Sequence, residues 1–226
     1  MISTKSTRDF FAKEVAMFGL IQHATVSAIL VCVFCLGGCA FGTRSPTLTY
    51  PPENETSGTS VAHAAVKPTA KNVHIVLKPF ADQRSDKKVV GTVRNGLGMR
   101  TADVIPTNNV ADWVTQAVRT ELQDNGYSVT SEALDDNSES PSAVLSGEVL
   151  NVFCDMYFNY TGQVSIIVRV NKDETELINR HYAGEGSTGI VWAGTEESYA
   201  ESLELALSSA LNQFITDLDM SLYSNK

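Results

Sequence analysis

The chain has 226 residues and carries 26 acidic against 17 basic side chains, for a net charge of −9. A protein of this charge repels a phosphate backbone, which argues against the nucleic-acid-binding class. The same balance argues against adhesion to anionic lipid through a broad basic surface.

The first 38 residues have the order of a bacterial lipoprotein signal peptide. Three basic residues precede an apolar stretch at 24–36, and Leu36-Gly37-Gly38-Cys39 closes it as a lipobox. Gln22 and His23 stop the apolar stretch short of the ~20 residues that a transmembrane helix needs. A spanning helix or ordinary secretion is the alternative.

Cys39 is the predicted lipidation site. In proteins that this motif resembles, the thiol receives a diacylglycerol, the chain is cut before the cysteine, and the new amino terminus is acylated, so that several acyl chains give stable anchoring. Ala40 follows, rather than the aspartate that resembles an inner-membrane retention signal. We therefore expect a chain anchored by lipid in the outer membrane and facing the periplasm.

Four cysteines are present, but Cys32 and Cys35 leave with the signal peptide and Cys39 is the anchor. Cys154 is then left without an internal disulfide partner, so the core must hold the fold in an oxidising periplasm. Its strand parity with apolar neighbours predicts a buried, unreactive thiol, and a reactive or intermolecular thiol is the alternative.

Residues 39–71 are predicted to be the lipidated cysteine followed by a disordered tether. This stretch is rich in Ser, Thr, Pro and Ala and has no apolar periodicity. A flexible chain of this length would let the domain roam about 30 Å from the membrane.

Residues 72–222 are predicted to form one domain, with a short tail at 223–226. An opening strand at 73–80, a short strand at 89–93 and a turn at 95–98 come first.

The first helix is the clearest predicted element because its apolar residues recur at three- and four-residue spacing. A residue within 107–109 caps its start, Asn125-Gly126 ends it, and 127–130 continues as a strand. The predicted buried stripe consists of Val110, Trp113, Val114, Ala117, Val118 and Leu122.

Two long strands at 143–158 and 162–171 and an edge strand at 175–186 follow. The glycine-rich segment 184–189 is interpreted as a flexible connection. A second amphipathic helix, capped by Thr195, closes the domain. Its predicted core stripe is Tyr199, Leu203, Leu207, Ala210, Leu211, Phe214 and Leu218.

These elements predict an α+β domain with a mainly antiparallel sheet of about four to five strands and both amphipathic helices packed on one face. Over about 73–222 the chain resembles the YajG family of envelope lipoproteins. The residues that carry this resemblance, besides the lipobox, are Asp82-Gln83-Arg84, Val90-Gly91, Asn95-Gly96-Leu97-Gly98 and Thr101-Ala102. The element order is also similar to that of auxiliary lipoproteins of envelope transport systems. Neither resemblance brings a catalytic signature.

A catalytic, metal-ligating or cofactor-binding set does not stand out. Ser85-Asp86-Lys87-Lys88 satisfies S-x-x-K but lacks the companion motifs and the buried helix start that this chemistry needs. The histidines lack metal-ligand spacing. We therefore predict a protein that is not an enzyme and that uses no cofactor.

Charge is unevenly distributed along the domain. Residues 78–100 carry a net charge of +4, whereas 119–148 carry −6. One interpretation is that both segments are ordinary solvated loops. The other is that the basic segment docks an acidic protein or an anionic glycan. The second interpretation assigns partner binding to Arg84, Lys87, Lys88, Arg94 and Arg100.

Trp192 lies in the apolar segment 189–194, which glycines bracket. This segment is either a lid over the core or, with an exposed tryptophan, a protein or lipid contact.

The function predicted from these observations is a non-enzymatic accessory component of a cell-envelope complex, anchored in the outer membrane and bound to an envelope protein or glycan. The alternative is a lipid- or small-molecule-binding auxiliary lipoprotein of an envelope transport system. A deep apolar cavity between sheet and helices would favour the alternative, and a packed core with a surface patch would favour the accessory role.

Overall fold

The computed structural model describes residues 42–50, 71, 73–95, 97–131, 143–189 and 195–223. The predicted signal peptide, Cys39, most of the predicted tether and Trp192 lie outside these residues. The described part contains eight strands and two helices, in the order β1 (His74–Leu77), β2 (Ala81–Asp82), β3 (Gly91–Arg94), β4 (Arg100–Val104), α1 (Val110–Asp124), β5 (Ser128–Thr130), β6 (Ala143–Met156), β7 (Tyr160–Lys172), β8 (Thr175–Thr188) and α2 (Glu196–Tyr223).

The sheet is built around the long strand β6. One edge of β6 pairs antiparallel with β7, which pairs antiparallel with β8. The other edge pairs in turn with β1, β2 and β3, all parallel to it. Beyond them, β5 pairs with β1 and β4 pairs with β3.

The predicted α+β class with two helices is confirmed, but the predicted sheet of four to five mainly antiparallel strands is wrong. The sheet is mixed and has eight strands. The difference arises at the edge of β6 that pairs with β1, β2 and β3, because the strands on that side are short. Strands of two to five residues are too short to show a periodic apolar pattern.

Both helices begin and end much as their sequences predict. Asn109 caps α1 by accepting hydrogen bonds from the backbone of Ala111 at 2.8 Å and Asp112 at 3.1 Å, and Gly126 follows the helix with φ of 84°. Thr195 caps α2 through its hydroxyl, which accepts from the Ser198 backbone at 3.3 Å. The predicted stripes of both helices are buried in one hydrophobic core.

Helix α2 packs directly on the backbone of β7 and β8. A Cβ atom added at Gly184 would lie 2.7 Å from the backbone nitrogen of Ala210, and one added at Gly162 would lie 2.9 Å from that of Leu203. These glycines therefore admit the helix to a distance that any side chain would prevent. The segment interpreted as a flexible connection is thus, up to Thr188, part of β8 and closely packed.

The thiol of Cys154 is buried between β6 and α2, as predicted. Its Sγ lies 3.1 Å from the hydroxyl of Ser202. Burial raises the pKa of Cys154 to about 12, which disfavours the reactive thiolate.

The segment 42–50, which we name the strap, differs most from its prediction as disordered tether. Leu48 is only 3% exposed and belongs to the core. Asn108 donates to the Leu48 carbonyl and accepts from its backbone nitrogen, both at 2.9 Å, and the indole nitrogen of Trp113 donates to the Thr49 carbonyl at 2.9 Å. The low hydrophobicity that predicted disorder is offset here by hydrogen bonds to α1 and to the segment before it.

Candidate docking surfaces

The predicted basic set is divided by the structure, and Arg84 is its buried member. Arg84 is 5% exposed and forms a bidentate pair with Asp82, with donor–acceptor distances of 3.0 and 2.9 Å. Its guanidinium also donates to the carbonyl oxygens of Lys87 at 2.8 Å and Val89 at 3.3 Å. With its donors directed into the protein, Arg84 is not available to a partner at the surface.

This pair holds the loop between β2 and β3 in a fixed shape. Burial opposes the charged form of Asp82, but the hydrogen bonds and charge of Arg84 hold its pKa below the usual value, so the pair stays ionised. Asp86 adds an internal turn, since its carboxylate accepts from the backbone of Lys88 at 2.9 Å and of Val89 at 3.2 Å. Two side chains of the predicted set, Lys87 and Lys88, are exposed on this loop.

Arg94 and Arg100 lie elsewhere, at the two sides of the turn between β3 and β4. Arg94 donates to both carboxylate oxygens of Asp155 at 2.7 and 3.1 Å, and hydrogen bonding to Arg94 lowers the pKa of Asp155. Arg100 pairs with Asp103, three residues further along β4, through an Nε–Oδ1 hydrogen bond of 2.9 Å. Both arginines are neutralised locally, whereas neither Lys87 nor Lys88 forms an ion pair with a carboxylate of the described residues. We name the part of the β2–β3 loop that carries Lys87 and Lys88 the lysine loop.

A second surface, which the sequence did not indicate, lies at the turns that end β3 and β6. We name it the tip surface and define it by Leu97 and Met99 from the β3–β4 turn and Tyr157 and Phe158 from the β6–β7 turn. Seven large hydrophobic side chains are exposed among the described residues, and these are four of them. The two turns touch, because a Cβ added at Gly98 would lie 2.8 Å from the Tyr157 ring.

Two surface depressions of the described part are open to solvent. One is lined by the strap and α1, including Leu48, Tyr50 and Trp113, and the other by β8 and the end of α2, including Arg180 and Asp217. Neither is a deep apolar cavity between sheet and helices of the kind that would hold a lipid chain.

Serine and histidine side chains meet at two places in the described residues. Ser128 Oγ lies 3.2 Å from Nδ1 of His74 where β1 pairs with β5, and a closer pair lies on the sheet face opposite the helices. The hydroxyl of Ser165 lies 2.5 Å from Nε2 of His181. The pair is exposed, and no described carboxylate hydrogen-bonds the imidazole to orient it. Sequence reasoning missed this contact because Ser165 and His181 come together only through the register of β7 and β8.

The described residues include no group of three or more His, Cys, Asp or Glu side chains placed to hold a metal ion. Within the same residues, no helix is long and apolar enough to cross a membrane.

The described residues form a small α+β domain. Two helices cover one face of a mixed sheet, the core is packed, and two candidate docking surfaces lie at the edge and at the end of the sheet. The chain belongs to the Lipoprotein_16 family of uncharacterized lipoproteins, the YajG-type family, whose model matches residues 60–223. The predicted family resemblance is thereby confirmed. A search of curated proteins finds no match.

Among solved structures, the chain is similar in fold to protein XCC0632 of Xanthomonas campestris, from the DUF330 family. The TM-score is 0.51 at 13% identity, covering 82% of this chain and 99% of that one. Protein CT253 of Chlamydia trachomatis gives a TM-score of 0.45 at 10% identity, covering 68% and 99%. Lipoprotein GNA1162 of Neisseria meningitidis gives 0.34 at 14% identity, covering 64% and 99%.

Proposed function

We propose that this lipoprotein is a non-enzymatic accessory component of a cell-envelope complex, anchored by a lipid on Cys39 in the outer membrane and facing the periplasm. The observation that carries the proposal is the lysine loop. A largely buried arginine–aspartate pair fixes this loop. The loop presents Lys87 and Lys88 to solvent, and neither lysine is held in an ion pair with a described carboxylate. A loop whose backbone is already fixed loses less entropy on binding than a flexible one, and its exposed cations favour a partner of opposite charge.

The partner is an acidic envelope protein or an anionic glycan. Electrostatic attraction would speed the encounter and set the orientation, and it would weaken as salt is added. Lipid or small-molecule transport has less support, because the two depressions are open to solvent rather than enclosed.

In-cell crosslinking followed by mass spectrometry tests this proposal. A photoreactive residue placed at Ser85, which is exposed on the same loop, should capture a specific partner. The double substitution Lys87→Glu and Lys88→Glu should abolish that crosslink, and Lys172→Glu, a charge reversal at the opposite end of the sheet, should leave it. An unchanged set of crosslinks in the double variant would count against the lysine loop.

Cell fractionation tests the anchor separately. The intact chain should be recovered with the outer membrane, and Cys39→Ala should leave the membrane fraction. Recovery of the intact chain with the inner membrane would contradict the proposed address while leaving the lipid anchor in place.

The absence of catalysis is tested at Ser165. A fluorophosphonate probe should fail to label the folded protein, because the serine has neither an oriented histidine nor a cleft to bind the probe. Labelling that disappears in Ser165→Ala would establish an activated serine and overturn the non-enzymatic assignment.

A further inference from the structure

We infer that the tip surface lies in the lipid headgroup layer next to the anchor, so that the domain is docked on its own membrane. This inference rests on the lipidation of Cys39 in the proposed function. It adds a second, non-covalent contact between protein and bilayer, made by Leu97, Met99, Tyr157 and Phe158.

The exposure of these side chains is large and local. Leu97 is 81% exposed and Phe158 is 69% exposed, and Met99 and Tyr157 are about half exposed. The rings of Tyr157 and Phe158 pack edge to face with centroids 4.1 Å apart. Contiguous exposed apolar groups on a folded domain mark a contact with another apolar phase.

The turns hold these side chains outward by specific hydrogen bonds. The side chain of Asn95 accepts from the backbone of Leu97 and of Met99, each at 3.0 Å. Arg94 donates to the carbonyl of Gly98 at 3.0 Å while it pairs with Asp155 on β6. The tip is therefore a rigid projection tied to the central strand, with Leu97 facing solvent in a fixed geometry.

The path of the strap indicates that the tip surface contacts lipid. Arg44 pairs parallel with Val104, its backbone nitrogen donating to Asp103 and its carbonyl accepting from Ile105. In a parallel pair both chains run in the same direction, so the strap enters from the end where β4 begins. That end of β4 is the β3–β4 turn, which carries half of the tip surface.

Chain length then limits how far the anchor can be from this end. Cys39 precedes Gly42 by three residues, and three extended residues span at most about 10 Å. A lipid on Cys39 thus holds the bilayer within about 10 Å of the point where the strap begins. A tyrosine at such a position suits the membrane interface, where tyrosine is enriched. The phenylalanine beside it is a side chain of the kind that enters the boundary between headgroups and acyl chains.

Depth-dependent quenching of the lipidated full-length protein in phosphatidylethanolamine–phosphatidylglycerol vesicles tests the inference. Leu97→Cys and Phe158→Cys would each carry an environment-sensitive dye, with Glu176→Cys on β8 as the control at the opposite end of the sheet. Cys154 is buried and does not compete for the label. Quenchers attached to the acyl chains should reduce emission at both tip positions at least about twofold more than at the control, because interfacial side chains reach ~5–10 Å into the boundary.

A measurement without a dye guards against insertion driven by the label. Alkylation of the same cysteines by a membrane-impermeant maleimide in vesicles should be about tenfold slower at Leu97→Cys than at Glu176→Cys. Each rate is normalised to that of the urea-unfolded variant, and all variants carry Cys154→Ala so that only the introduced cysteine reacts in urea. Equal quenching and equal alkylation at the three positions of an acylated chain would overturn the tip contact alone. A chain whose amino-terminal peptide carries no acyl group would overturn the anchor and the tip contact together.

Discussion

Leu48→Ala tests whether the strap is part of the folded domain. Leu48 is almost fully buried in the main core, although it lies only nine residues after the predicted lipidation site at Cys39. Replacing a buried leucine by alanine costs about 2–5 kcal/mol, through lost burial and the cavity that remains. The strap packs at the margin of the core and can relax, so we expect a loss of about 2–3 kcal/mol in the free energy of unfolding. This corresponds to a melting temperature lower by roughly 5–10 °C.

Urea unfolding of the detergent-solubilised lipoprotein, followed by far-ultraviolet circular dichroism, measures this loss. Leu205→Ala is the matched control, because it makes the same chemical change at a leucine that is 46% exposed on α2. It should change stability by no more than about 0.5 kcal/mol. If Leu48→Ala were as harmless as the control, the strap would be a flexible tether. The limit of about 10 Å between Gly42 and the lipid anchor would then no longer hold the bilayer near the tip surface.

Three further results should follow from the packing and the protonation states. Gly184→Ala should destabilise the fold by at least about 3 kcal/mol in urea unfolding, because a Cβ there meets the backbone of α2, whereas Gly189→Ala, with nothing within 4 Å, should be nearly neutral. Burial raises the pKa of Glu204 to about 7, so its ionisation opposes folding: the contribution of Glu204 to stability is fully present below about pH 4.5 and is lost as the pH rises to about 7. Glu204→Gln should therefore leave the free energy of unfolding at pH 4 unchanged and raise it by about 1–3 kcal/mol at pH 8. Glu185→Gln is the control because Glu185 is exposed, and the same gain in that variant would show that a general charge effect is responsible. Cys154 should react with iodoacetamide at least about 100-fold more slowly in the folded protein than in urea, and rapid labelling would show that the thiol is accessible.

The helices and the long strands could be predicted from sequence because their signals are local. Helix α1 spans 15 residues and α2 spans 28, so each shows its apolar stripe over several turns. Strand β7 alternates over 13 residues. By contrast, Arg100–Val104 (β4) buries only its last residue and owes its place in the sheet to β3, which no local pattern reveals.

The strap was missed for a related reason. Its composition is that of a disordered segment, and Leu48 is too isolated to give a periodic signal. What orders it are hydrogen-bond partners about 60 residues away, Asn108 and Trp113. A buried leucine and the two partner side chains become visible as one unit only after α1 is in place.

Charge counting likewise identified the basic segment but not the roles within it. The net charge of the segment counts Arg84 and Lys87 equally, although Arg84 is paired inside the protein and Lys87 is exposed. The Asp82 carboxylate two residues before Arg84 was the signal that could have separated them. The tip surface gave no sequence signal, because Leu97 and Phe158 are single apolar residues in turns that lie 61 positions apart.

The two proposed surfaces fit one arrangement of the domain on the membrane. Gly91, which follows the lysine loop, pairs with Val104, whereas the tip lies at the other end of the same hairpin. Four residues of strand separate the two ends by about 13 Å. With the tip in the headgroup layer, Lys87 and Lys88 would be held farther from the lipid charge than the screening length of ~8 Å at physiological salt. The lysines would then act on a partner in the periplasm rather than on the bilayer.

The double substitution Leu97→Asp and Phe158→Asp should therefore weaken crosslinking from the lysine loop, although it leaves the charge of that loop unchanged. Unchanged crosslinking would show that the partner is captured independently of the domain's orientation.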